Sequence, residues 1–115
     1  MKDFYTELEL NGKKHLLCFD LNVMEAIQAE YCTIDKWSEL TSGENGEADA
    51  KAIIFGFREM LNEGIEISNE QNGSDEKPLT HKQVGRMITQ LGLENVGSKL
   101  GEAICLANKD ESKNE

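Results

Sequence analysis

The chain has 115 residues, 38% hydrophobic and 30% charged, the composition of one small domain with a single core and too apolar for wholesale disorder. Lys and Arg number 12 against 22 Asp and Glu, for a net charge of −10. A surface of that sign is repelled by phosphate backbones and anionic headgroups, which argues against nucleic-acid and membrane-surface binding and fits a basic protein partner or plain solubility.

The opening stretch MKDFYTELEL is charged from its second residue and carries no signal-peptide core, and the longest apolar run, AIIFGF, is far too short to span a bilayer. Cys18, Cys32 and Cys105 are widely spaced and form no CxxC pair, so reduced thiols in a cytosol are expected. Residues 4–19 read as a β-hairpin. Asn11-Gly12 is the favoured pair for a type I′ turn, because both positions need positive φ. That turn sets Leu10 against Lys13, Glu9 against Lys14, Leu8 against His15 and Phe4 against Phe19, with Phe4, Leu8, His15, Leu17 and Phe19 on one face.

A helix follows from residue 22, with Asn22 as N-cap, Glu25 completing a capping box, and Met24, Ile27 and Tyr31 as its buried stripe. A second, short helix over residues 34–40 carries Ile34, Trp37 and Leu40, capped by Thr33 or Asp35, and TSGENGEAD is a polar loop. The third helix, over residues 48–62, is apolar on more than one face and belongs at the centre of the core, with Gly64 placed to end it. EISNEQNGSDEKP then reads as a long acidic loop. Thr80 and Gln83 form a capping box for a fourth helix with the stripe Val84, Met87, Ile88 and Leu91, and Gly92 is its C′ residue. The last helix, residues 94–107, aligns Val96, Leu100, Ala103, Ile104 and Ala107, before a solvated, disordered tail over 109–115. The sum is an α+β fold, mostly α: an N-terminal β-hairpin and about five helices (hairpin 4–19, helical part 22–107) in one small domain spanning 1–108.

Reactive chemistry is hard to place on this sequence. His15 and His81 are the only histidines, and no zinc spacing includes either. An EF-hand register with Gly73 at the sixth position puts Ser68 first and Leu79 twelfth, where Asp and a bidentate Glu are required. No GxSxG, GxGxxG or GxxxxGK[ST] occurs. Cys32 and Cys105 adjoin apolar stripes and read as small core residues, and the carboxylates read as a solvated surface. No catalytic residue, metal ligand or cofactor site is assigned, and the chain is not expected to be an enzyme. Four glycines resist that plain account. Gly56, Gly85, Gly97 and Gly101 fall inside helices, each costing about 0.5–1 kcal/mol against Ala. Gly97 and Gly101 lie one turn apart on one face, which suits either close helix packing within the domain or docking of another chain.

Together these features resemble the tail assembly chaperones of long-tailed phages and prophages of Gram-positive bacteria. The residues that carry the resemblance are Asn11, Gly12 and Lys13 of the turn, then Phe19, Asp20, Leu21 and Asn22 leading into a helix. Tyr31, Ile34, Trp37 and Leu40 follow, and later Leu79, Thr80 and Val84. Two features depart from the family pattern: Cys32 stands where a Gly is common, and the acidic segment 66–77 is long. The resemblance implies a non-enzymatic factor of the bacterial host cytoplasm. Such a factor binds the tape measure protein, keeps that long helical chain soluble, helps recruit the tail tube protein and leaves before the virion is finished. It leaves homo-oligomerisation open. The partner face is expected on the last helix, at Val96, Leu100 and Ile104 with Gly97 and Gly101. A virion structural or connector protein, and an acidic DNA-mimic inhibitor of a host protein, are the alternative readings.

Overall fold

A computed structural model describes the backbone of residues 5–43 and 46–113 and side chains up to residue 105. An antiparallel hairpin, β1 (Tyr5–Leu10) and β2 (Lys13–Cys18), is followed by five helices: α1 (Leu21–Tyr31), α2 (Ile34–Ser42), α3 (Ala50–Asn72), α4 (His81–Leu91) and α5 (Leu93–Lys113). Positive φ at Asn11 (54°) and Gly12 (80°) makes the tight turn, and the register pairs Leu10 with Lys13, Glu9 with Lys14 and Leu8 with His15, as expected. Phe4 and its pairing with Phe19 lie outside the described residues.

The core gathers around α3, which packs on β2, α1, α2 and α4. Leu17, Ile27, Trp37, Phe57, Met60, Leu61 and Val84 are fully buried there. The helix is longer than the sequence suggested. It starts after Asp49, whose carboxylate accepts from the Ala52 N–H, and runs to Asn72 with Gly73 as its left-handed C-cap. Gly64 therefore ends nothing; it sits in mid-helix where the backbone of Leu16 in β2 presses on α3, and a Cβ there would lie 2.9 Å from the Leu16 carbonyl carbon and Cβ and closer still to its oxygen. Gly56 plays the same part against Trp37, where a Cβ would lie 2.8 Å from the indole Cε2. That indole is itself fixed by a 2.9 Å bond from Nε1 to the Ala52 carbonyl.

The acidic segment after α3 is correspondingly shorter than expected, and two asparagines stitch it down. Asn69 donates to the Glu76 carbonyl (2.9 Å) and accepts from the Glu76 N–H (3.0 Å). Two turns earlier, Asn62 does the same with Leu79, at 3.1 and 2.8 Å. Each side-chain amide thus acts as a strand partner for one residue of the returning chain.

The remaining helix starts divide. Thr80 and Gln83 form the expected capping box of α4, and Thr33 caps α2. For α1 the cap is Asp20, not Asn22: Asp20 accepts from the Val23 N–H, the buried stripe is Val23 and Ile27, and Met24 and Tyr31 are only half-covered. The Asn22 amide instead reaches across to Glu63 of α3 at 3.0 Å. Between α1 and α2 the chain reverses at Cys32, with φ 75° and ψ −53° and a Thr33 N–H bond to the Tyr31 carbonyl of 2.9 Å. This is a γ-turn of positive φ, a strained conformation for a residue with a Cβ. Cys32 and Cys105 are exposed, against the core positions expected for them; Cys18 is the buried cysteine. Helix α5 continues to Lys113, through most of the residues expected to be tail.

Candidate functional site: a groove between α2 and α5

Helix α5 packs on β1, β2 and α4, and between it, α2 and the start of α3 runs an open groove of about 510 Å³. Its floor is the core itself. Trp37 and Val96 are each 1% exposed, and Ile53 and Leu100 each 6%. Its walls are built from small side chains: Gly97 and Gly101 on α5, Ser38, Thr41 and Ser42 on α2, and Ala48 ahead of α3. Ile104 closes one end half-buried, and Leu93 stands 60% exposed at the other. Beyond Leu93 a second hollow of about 290 Å³ continues between α3 and α4, along Ile54, Gly85, Ile88 and Thr89.

All five residues expected at the partner face line this groove, but not in one role. Val96 and Leu100 are buried and make the floor, so their first duty is to the core. Gly97 and Gly101 are exposed, and a Cβ at either would meet nothing within 4 Å. Close packing inside the domain therefore explains Gly56 and Gly64 and does not explain these two. The opposite wall and Leu93 were missing from the sequence reading. Leu93 follows a helix-ending glycine and looks like a core residue of the next helix, and nothing local says that α2 will lie opposite.

The groove is apolar and electrically one-sided. Glu94 is the sole charged residue that lines it among those described, and no cation does. Helix walls without long side chains let another helix approach at the roughly 8–10 Å axis separation of ordinary helix packing. An elongated occupant fits better than a compact small molecule, because the hollow is open along its length and offers few polar anchors.

Among the described residues, no group of His, Cys, Asp and Glu could hold a metal ion, and no helix is long and apolar enough to cross a membrane. Burial, reinforced by the carboxylates of Asp20 and Glu63, pushes the Cys18 thiol up to about 12, which leaves it protonated and a poor nucleophile. Beside it the Asp20 and Glu63 carboxyls share a hydrogen bond that, with desolvation, lifts Glu63 to about 7 against the opposing bond from Asn22. This pair ties the N-cap of α1 to α3. His15 has its pKa lowered by burial and by Lys13, which keeps the imidazole neutral at physiological pH. Comparisons of the chain with protein-family models, curated proteins and solved structures return no match.

Proposed function

We propose that this chain is a tail assembly chaperone of a long-tailed phage or prophage, which holds a helical segment of the tape measure protein in the α2–α5 groove and keeps it soluble while the tail tube protein is recruited. The observation that carries the reading is the groove: an apolar floor left open between small-residue walls on a strongly acidic chain. Long helical chains awaiting assembly expose apolar stripes, and covering such a stripe is what a groove of this shape can do. The net charge of −10 steers a basic partner toward it and discourages self-association. A surface that binds and releases needs no reactive group, and none is required here.

Co-expression tests this directly. A tape measure fragment that is insoluble alone is expected to become soluble and to co-purify with the tagged chain. Gly97→Leu and Gly101→Leu, which place a side chain in open space at the groove wall, should keep the fold and abolish co-purification. A fragment that stays insoluble beside the wild-type chain would refute the reading. Recovery of the chain from purified, finished particles at stoichiometric amounts would favour a virion structural protein instead.

A further inference from the structure

The two edges of the hairpin are treated differently. Because the type I′ turn makes Leu10 and Lys13 a hydrogen-bonded pair, the alternation places Leu8 with His15 and Thr6 with Leu17 in the ladder. The N–H and C=O groups of Glu7 and Glu9 on β1, and of Lys14 and Leu16 on β2, therefore point away from the sheet. On the β2 side α3 closes the edge, with the Leu16 carbonyl set against Gly64. On the β1 side no strand or helix backbone bonds to Glu7 or Glu9 among the described residues. Helix α5 packs against β1, and its Lys99 reaches that edge, donating from Nζ to the Glu7 carbonyl at 2.9 Å while also pairing with Glu102 at 3.2 Å. A lysine on a flexible stem is easily displaced by an incoming backbone N–H.

We propose that the outer edge of β1 takes an extended basic segment of another protein as a third strand, with Lys99 as the temporary occupant of the Glu7 carbonyl. Charge decides the occupant. Glu7 and Glu9 are both exposed and share one face, opposite Leu8 and Leu10. An added strand sets alternate side chains across from these two carboxylates, where Lys or Arg is favourable, and its intervening residues beside Leu8 and Leu10, where apolar residues are. A second copy of this chain would bring Glu7 and Glu9 against themselves on a partner that also carries −10, so the edge selects against its own kind. This edge lies apart from the groove and stands whether or not the groove holds a tape measure helix.

The test is titration of isotope-labelled full-length protein with a short capped peptide alternating valine and lysine, against its valine–glutamate counterpart. Binding of the lysine peptide should protect the Glu7 and Glu9 amides from hydrogen exchange and weaken as salt rises. Glu9→Pro removes an outward N–H without touching the β1–β2 ladder, as edge strands tolerate, and should weaken binding by about tenfold or more. The pair Glu7→Lys with Glu9→Lys should transfer preference to the glutamate peptide, which keeps the inference falsifiable if the proline variant folds poorly. Lys99→Met should tighten binding by freeing the carbonyl and removing a competing cation. No binding of the lysine peptide, equal binding of both peptides, or undiminished binding by a folded Glu9→Pro would overturn the proposal. So would a wild-type dimer in sedimentation that Glu9→Pro dissolves.

Discussion

Glycine-to-alanine substitution separates the parts of this molecule that are closed from those that are open. In Gly64→Ala the new Cβ would lie 2.9 Å from the carbonyl carbon and Cβ of Leu16, where carbon atoms prefer about 3.5–4.0 Å. The obstacle is backbone and cannot rotate aside, so β2 must retreat from α3 by roughly half an ångström or more. Leu17 and Cys18, next along the strand, are wholly buried, and the retreat loosens their packing too. Overpacking of this kind costs about 1–3 kcal/mol, and the better helix propensity of alanine returns about 0.5–1. The expected net loss is about 1–2 kcal/mol, a fall in Tm of about 4–8 °C at roughly 4 °C per kcal/mol. Gly97→Ala and Gly101→Ala meet nothing within 4 Å and should each gain about 0.5–1 kcal/mol. Urea titration followed by circular dichroism and by Trp37 fluorescence, with unchanged m-values, reads both signs. If Gly64→Ala were as stable as wild type, or the α5 variants lost stability, the assignment of which helix faces are closed would be wrong.

Cys32→Gly should raise stability by about 1 kcal/mol, since the φ of 75° that strains a residue with a Cβ suits glycine; thermal melts under reducing conditions check it. Asn62→Ala removes both bonds to Leu79 and should cost about 1–3 kcal/mol, with exchange at the Leu79 amide rising more than elsewhere. Glu63 holds its proton more tightly when folded, at about 7 against an ordinary 4.5, so its contribution is fully present below about pH 4.5 and is lost as pH rises through about 7. Glu63→Gln should remove that loss, gaining on the order of 1 kcal/mol above pH 7 once solvent screening is allowed for; denaturant midpoints that differ from wild type equally at pH 5 and pH 8 would contradict it.

Local chemistry was legible wherever a short stretch decides its own conformation. Asn11-Gly12 demanded one turn and thereby one register, and Thr80 with Gln83 could cap α4 with no help from elsewhere. The misreadings share a different cause. In the stretch Asp20 to Glu25 two side chains could cap α1, and the choice of Asp20 goes with recruitment of the Asn22 amide by Glu63, a residue of α3. Gly64 reads as a stop because glycine weakens a helix; it is tolerated because β2 comes too close for any other residue. The segment after Gly64 looked like loop because it is polar, yet it carries Asn69, which with Asn62 just before that glycine holds the returning chain. As for the site, its residues on α5 were visible as a glycine-spaced face, whereas the wall supplied by α2 depends on the packing of helices distant in sequence.

The glycines also bear on why the groove exists at all. Gly56 and Gly64 have a structural reason, a neighbour that excludes a side chain, and their helix is the most buried in the fold. Gly97 and Gly101 have no such neighbour, and together they cost α5 about 1–2 kcal/mol relative to alanine, a noticeable share of the few kcal/mol by which a domain of this size is stable. Stability alone would replace them, and alanine at both positions is sterically free. Residues that weaken a fold without serving its packing point to a demand outside the fold, commonly a surface that must stay open or adjust. Here both fall on one wall of the apolar groove. If alanine at both positions proved stabilising and left partner binding intact, that demand would have to be sought elsewhere; binding lost while stability rises is the signature expected of a docking wall.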